Sequence, residues 1–160
     1  MTRLSIRPAR AEDAGLVRAL ILELADYERL SHEAVLTEGD LERALFAKPP
    51  RAFCDIAWDG DEGIGFALWF YNFSTFVGRA GIWLEDLYVQ PHARGLGAGK
   101  ALLAGLARRC RAEALGRLEW AVLNWNAPSI AFYDSLGASA MTEWTTRRLT
   151  GEPLARLAES

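Results

Sequence analysis

Cysteine and histidine are scarce in this sequence: Cys54, Cys110, His32 and His92 are the whole supply. Two thiols inside apolar segments exclude a disulfide framework and read as core residues of a reducing compartment. They are too few for a cysteine-based zinc site, and the histidines stand apart, so no metal centre is expected. Long apolar runs are missing too; none approaches the roughly 18 residues of a membrane span. The opening Met1-Thr2-Arg3-Leu4-Ser5-Ile6-Arg7 reads as a charged, strand-like segment rather than a secretory leader. A large charge of one sign is also missing. The net charge of -3 gives no bulk attraction to nucleic acid or to an anionic membrane. Linkers, low-complexity tracts and repeats are absent, so residues 1–160 are expected to form one domain, working in the cytoplasm.

What is present is a strongly patterned chain. Leu4 to Arg7 reads as a first strand stopped by Pro8. A helix follows, with Glu12 and Asp13 in its first turn, where the dipole favours acids. Its buried face is Leu16, Val17, Leu20, Ile21, Leu24 and Tyr27. Thr37 with Asp40 resembles a capping box, predicting a second helix that carries Leu41, Ala44, Leu45 and Phe46 and ends at Pro49-Pro50. Strands are predicted over Ala52–Trp58, Ile64–Phe73 and Gly81–Val89, the first two joined by turn residues at 59–63. A long helix opens at Gly97, with Leu102, Leu103, Leu106 and Cys110 on its apolar face. Leu118–Leu123 reads as another strand, and Pro128–Leu136 as a short helix stopped by Gly137. Residues 139–149 are expected to return as one or two final strands. The order implies an α/β fold with helices on both faces of a mixed sheet.

The strand–turn–helix unit around Arg94-Gly95-Leu96-Gly97-Ala98-Gly99-Lys100 carries the chemistry. Glycines there let backbone approach a ligand closely. The free N–H groups of the helix start make an anion site, so a phosphate or pyrophosphate is expected. A P-loop is excluded, because it would need glycine at Arg94 and Ser or Thr at Ala101. The dinucleotide fingerprint fails as well, since Lys100 and Leu102 stand where it needs its third glycine. Residues 94–117 carry six cations against Glu113 alone, which suits a polyphosphate ligand.

Arg94-x-x-Gly97-x-Gly99 resembles the acyl-CoA motif of the GNAT N-acetyltransferases. Ile6-Arg7-Pro8-Ala9 is similar to that family's first strand. Asn126-Ala127-Pro128-Ser129-Ile130-Ala131-Phe132-Tyr133, followed by Leu136-Gly137-Ala138, is similar to its downstream element. The resemblance implies a single-domain fold with a mostly antiparallel sheet of six to seven strands and about four helices. It implies acetyl-CoA as co-substrate, held by Leu87, Tyr88, Val89, the turn Arg94–Lys100, Asn126, Pro128, Ser129 and Tyr133. The strands holding Tyr88 and Ala121 would splay apart, and the pantetheine arm would lie in the gap. Asn126 would bond that arm or cap the helix at Pro128, and both readings stay open.

Acetyl transfer to an amine must remove a proton from a group of pKa about 10.4, stabilise an oxyanion, and protonate a leaving thiolate. Glu85, an acid among apolar strand residues, is the candidate base, acting directly or through water. Partial burial is expected to raise its pKa. Asp86 would face the opposite way on a regular strand, unless a bulge intervenes. Backbone N–H groups near Leu87–Val89 would hold the oxyanion, as the resemblance implies. Tyr133 is the candidate acid, its phenol near the range of a thiol.

Residues 23–42 hold seven acids against Arg29, a rim that attracts a polycationic amine. Glu23-Leu24-Ala25-x-Tyr27-Glu28, Val35-Leu36-Thr37-Glu38 and Leu84-Glu85-Asp86 are similar to the diamine (spermidine/spermine, thialysine) N-acetyltransferase group. That similarity implies Tyr27, Glu28, Glu85 and Asp86 at the amine site, and a homodimer. The competing readings are a protein lysine or N-terminal acetyltransferase, and an acyl-CoA sensor without turnover.

Overall fold

The computed structural model describes residues 3–160. They divide into two compact units, with the boundary between Leu123 and Asn124. The first is built on a five-stranded sheet in the order β1-β2-β3-β4-β5. Its strands are Leu4–Pro8, Phe53–Asp59, Glu62–Ser74, Arg79–Val89 and Leu118–Trp120. The first four pair antiparallel, and β5 runs parallel to β4. Helices α1 (Ala14–Tyr27), α2 (Glu38–Phe46) and α3 (Ala98–Ala112) complete this unit.

The helical periodicity of α1 sets one side of the sheet. Val17, Leu20 and Leu24 are buried with Leu41 and Leu45 of α2 against Cys54, Ile56, Phe66 and Tyr88. Each such side chain contributes about 1.5–3 kcal/mol when fully removed from water. The capping box of α2 forms as its sequence predicts: Thr37 Oγ1 accepts from the Asp40 N–H at 3.2 Å, and the Thr37 N–H donates to Asp40 Oδ2 at 2.7 Å. Residues one place along each strand face the other way. There Phe53 stacks on Trp69 at 4.6 Å, and the Arg109 guanidinium of α3 lies 5.1 Å from the Trp69 ring. Leu102, Leu103 and Leu106 give α3 its buried face. Cys54 and Cys110 are both free thiols.

The second unit holds α4 (Ala127–Ser135) and α5 (Gly151–Ala158). Gly137 closes α4 at φ +83, as a C-terminal glycine should.

Three sequence expectations are corrected. The sheet has five strands rather than six to seven, because residues 139–149 form no strand. A strand needs a ladder partner, and this segment is exposed throughout. A fifth helix, α5, replaces the expected total of about four; the Glu152–Arg156 pair at 3.0 Å, one turn apart, supports it. The strand expected over 118–123 stops at Trp120, because its neighbour β4 is bulged just beyond Leu84. No helix among the described residues is long and apolar enough to cross a membrane.

Candidate active site

Strand β4 leads directly into the glycine turn. After Val89 the chain makes a short 3-10 turn at Pro91–Ala93 and enters α3 at Ala98. Gly95 and Gly97 have φ of +87 and +83, a region that side-chain-bearing residues rarely adopt. Gly97 is the residue preceding the helix, so the N–H groups that follow have no acceptor within it. A Cβ added at either glycine would meet no atom within 4 Å. The turn is therefore an open cradle of amide groups at a helix start, with Lys100 exposed beside it, and it fits a pyrophosphate.

The edge of β4 is open along the same stretch. Pairing with β5 ends at Leu84 opposite Trp120, so Glu85 to Val89 have no β5 partner among the described residues. On the other edge, Gly65 lets β3 close in: a Cβ there would stand 2.5 Å from the Tyr88 carbonyl oxygen. The backbone at Leu87–Val89 is thus fixed from one side and free on the other.

A β-bulge sits in the middle of the candidate acids. Leu84 pairs with Trp69 and Asp86 with the adjacent Leu68, leaving Glu85 as the extra residue. On a regular strand Leu84 and Asp86 would share a face. The bulge instead turns Asp86 onto the side of Leu68, which packs against the α1–α2 core. Burial first, then the neighbouring Glu85 and then Glu28, push the Asp86 carboxyl up to about 7. Half-buried Glu28, at the end of α1, is also raised by burial. Glu85 is exposed, and its Oε2 accepts a hydrogen bond from Trp83 Nε1–H at 3.0 Å. The expectation that Glu85 is partly buried is corrected: Glu85 is exposed and Asp86 is the half-buried acid, because one inserted residue exchanges their surroundings.

Arg94 ties the turn to α1. Its Nε–H donates to the Val89 carbonyl at 3.1 Å, and its guanidinium lies 5.1 Å from the Tyr27 ring and 6.0 Å from that of Tyr88. Tyr27, Tyr88, Val89 and Arg94 are thereby linked within the first unit. Leu96 is exposed on the turn, while Ala98 is buried behind it.

In the second unit, the buried Asn126 caps α4, its Oδ1 accepting the Ser129 N–H at 3.4 Å. Pro128 occupies the first turn, where its missing N–H costs nothing. Tyr133 is half-buried, with its ring 5.5 Å from that of Phe132.

Residues 16–138 match the model of the acetyltransferase (GNAT) family. The chain belongs to the GNAT acetyltransferase family. It is an N-acetyltransferase with acetyl-CoA as its co-substrate. The Mus musculus thialysine N-epsilon-acetyltransferase is 33% identical, covering 99% of each chain. The Homo sapiens spermidine/spermine N(1)-acetyltransferase-like protein 1 is 32% identical, with 99% of this chain matching 24% of that protein. Among solved structures, an integron cassette protein from the mobile metagenome of V. cholerae superposes with a TM-score of 0.82. It is 27% identical, over 100% of this chain and 99% of its own.

Two residues beside the candidate site of this GNAT acetyltransferase were given no individual role from the sequence, Glu23 and Gln90. Gln90 Nε2–H donates to both Glu23 carboxyl oxygens, at 3.0 and 3.2 Å. Glu23 was hidden in a run of acids. Its position one helical turn before Tyr27 was the available signal.

Proposed function

We propose that this enzyme acetylates the primary amine of a small cationic acceptor of the thialysine or polyamine kind, within one catalytic domain spanning residues 1–160. The family match crosses the boundary between the two compact units, which supports the single-domain reading. The carrying observation is the acid trio at the β4 bulge and the end of α1, where Glu85 and Glu28 stand close enough to raise the Asp86 carboxyl. Three acids on one short path suit an acceptor with more than one positive charge. The names of the relatives point the same way.

Acetyl-CoA supplies a thioester carbonyl that an amine can attack. Gly95 to Lys100 would hold its pyrophosphate with backbone N–H groups and the Lys100 cation. The open edge of Leu87–Val89, paired only with β3, would receive the pantetheine arm and donate an N–H to the oxyanion. Asn126, Pro128 and Ser129 form the capped start of α4, and by the family resemblance they would also bind the cofactor. Tyr27 and Glu28 would bind the acceptor body. Glu85, exposed and held by Trp83, would meet the incoming cation. Asp86, raised to about 7, is suited to take the ammonium proton near neutral pH, a role first expected of Glu85. Tyr133 would return a proton to the departing thiolate.

A panel of diamines, thialysine, lysine peptides and monoamines, incubated with acetyl-CoA and read by mass spectrometry, tests the acceptor class. Small diamines and thialysine are expected to be acetylated first. Preference for peptides would replace this reading with a protein acetyltransferase, and CoA binding without any product would leave a sensor. The roles of the two acids separate in pH profiles. Asp86→Asn is expected to remove the acidic limb of kcat/KM near pH 7, whereas Glu85→Gln keeps that limb and raises the acceptor KM. A limb lost only in Glu85→Gln would return the base role to Glu85.

A cytoplasmic homodimer completes the proposal. Free Cys54 and Cys110 suit a reducing compartment. Every residue from Ser139 to Ser160 is exposed, Trp144 at 74% and Leu157 at 63% among them, which supports cover by a second copy.

A further inference from the structure

Glu23 has no part in the chemistry described so far, yet it is the most heavily bonded acid near the turn. Its half-buried carboxyl group accepts from Tyr88 Oη–H at 3.2 Å as well as from Gln90 Nε2–H at 3.0 and 3.2 Å. Tyr88 and Gln90 stand two residues apart on an extended backbone, so one carboxyl group grips successive side chains of one face. Between them, Val89 offers its carbonyl to Arg94 and pairs with Gly65. The Gln90 N–H donates to the Ile64 carbonyl at 2.9 Å. The Gln90 Oε1 atom is buried and has no donor among the described residues. Turning the amide over would give that oxygen no donor either, because it would then face the Glu23 oxygens. Buried acceptors without partners are rare and costly, so the Glu23 bonds hold Gln90 in a position it would not choose alone.

We infer that Glu23 is a positioning residue, pinning Tyr88 and Gln90 so that the open edge of β4 at Leu87–Val89 and the turn behind it meet acetyl-CoA in one fixed orientation. With both side chains gripped from α1, the strand cannot rotate about its own axis. The backbone groups that neither β3 nor Arg94 engages therefore stay directed at the gap beyond Leu84. The inference rests on reading that edge and turn as the acyl-CoA site.

The test uses the full-length enzyme, with CoA as the calorimetric probe and steady-state kinetics alongside. Glu23→Gln keeps the size of the side chain but sets an amide NH2 against the donors of Gln90. CoA affinity is expected to fall roughly fivefold to tenfold, the effect of losing a charge-assisted hydrogen bond. The acetyl-CoA KM should rise in step while the acceptor KM stays near wild type, and Glu23→Asp should recover part of the loss. The Tyr88 phenol provides a readout independent of CoA. Burial, Glu23 and Asp26 raise its pKa against the lowering effect of Arg94. Its ultraviolet titration is therefore expected to move down in Glu23→Gln, with Tyr88→Phe identifying the signal. If Glu23→Gln does not fold, Gln90→Met removes the grip from the other side and is expected to weaken CoA binding in the same direction. A folded Glu23→Gln or Gln90→Met protein that binds CoA as the wild type does would overturn the inference. Wild-type enzyme that binds no CoA would instead fail the acyl-CoA reading, and this inference with it.

Discussion

Glu85 and Asp86 are neighbours of nearly the same chemistry, and the bulge in β4 gives them different surroundings. Exposed Glu85 keeps its carboxyl in water beside Trp83, whereas Asp86 is turned toward the core. The cost of ionising Asp86 appears in the pH dependence of stability. Its pKa is about 7 in the folded protein and near 3.9 in an unfolded chain. Between those values the native state holds the proton more tightly. Its contribution is therefore full below about pH 4 and is lost as pH rises through 7. Asp86→Asn should flatten this fall, gaining on the order of 4 kcal/mol over wild type at pH 8 relative to pH 4. Urea denaturation at the two pH values measures it, and parallel profiles for both proteins would contradict the burial of Asp86. Tyr133 makes a different prediction. If its phenol delivers a proton, Tyr133→Phe should lower kcat by roughly a hundredfold while acetyl-CoA affinity holds, since only the hydroxyl is removed. Unchanged turnover would take Tyr133 out of the mechanism.

At the scale of elements, the glycine turn is where sequence and geometry agree most closely. Gly97 precedes α3 in the left-handed region with open space around its Cα. Gly97→Glu is expected to cost about 1–2 kcal/mol of stability for the backbone conformation. It should abolish CoA binding altogether, because a carboxylate would occupy the anion cradle. Circular dichroism and calorimetry separate the two effects, and tight CoA binding by this variant would place the anion site elsewhere. Such elements are legible because their causes are local. Val17, Leu20 and Leu24 repeat at the helical period, and Thr37 reaches Asp40 within one turn. The bulge was not legible, since it depends on how Leu68 and Trp69 line up with a distant strand. Nor could the run from Ser139 to Leu149 show that it would stay unpaired: its threonines and tryptophan favour a strand, but a strand forms only where a neighbour accepts its hydrogen bonds. Glu23 was hidden for the same reason, as its partners lie 65 and 67 residues away.

For the whole molecule, the decisive feature is the exposed stretch that ends the described chain. The eight-residue helix α5 has Leu154 and Leu157 on its surface, at 50% and 63% exposure. Isolated helices of fewer than about 12 residues are marginal in water, and most helical stability comes from packing an apolar face. Met141 and Trp144 are exposed on the same stretch, at 61% and 74%. Scattered apolar residues are ordinary on a surface, but five of them on one segment, Leu149 included, suit a partner. In the proposed homodimer a second copy would supply it, and exchange of such a segment is a low-cost route to a two-fold assembly. Light scattering of the purified protein should give twice the 17.7 kDa chain mass at micromolar concentration. Trp144→Ser combined with Leu157→Lys should shift it toward the single-chain mass. Each buried aromatic or leucine lost from such an interface is worth about 1.5–3 kcal/mol, so the pair should raise the dimer dissociation constant at least a hundredfold. Far-ultraviolet circular dichroism should lose only the small contribution of α5, because the first unit carries its own core. A wild-type protein that scatters as a single chain would overturn the homodimer, and a double variant that remains dimeric would show that residues 139–160 are not what the second copy covers.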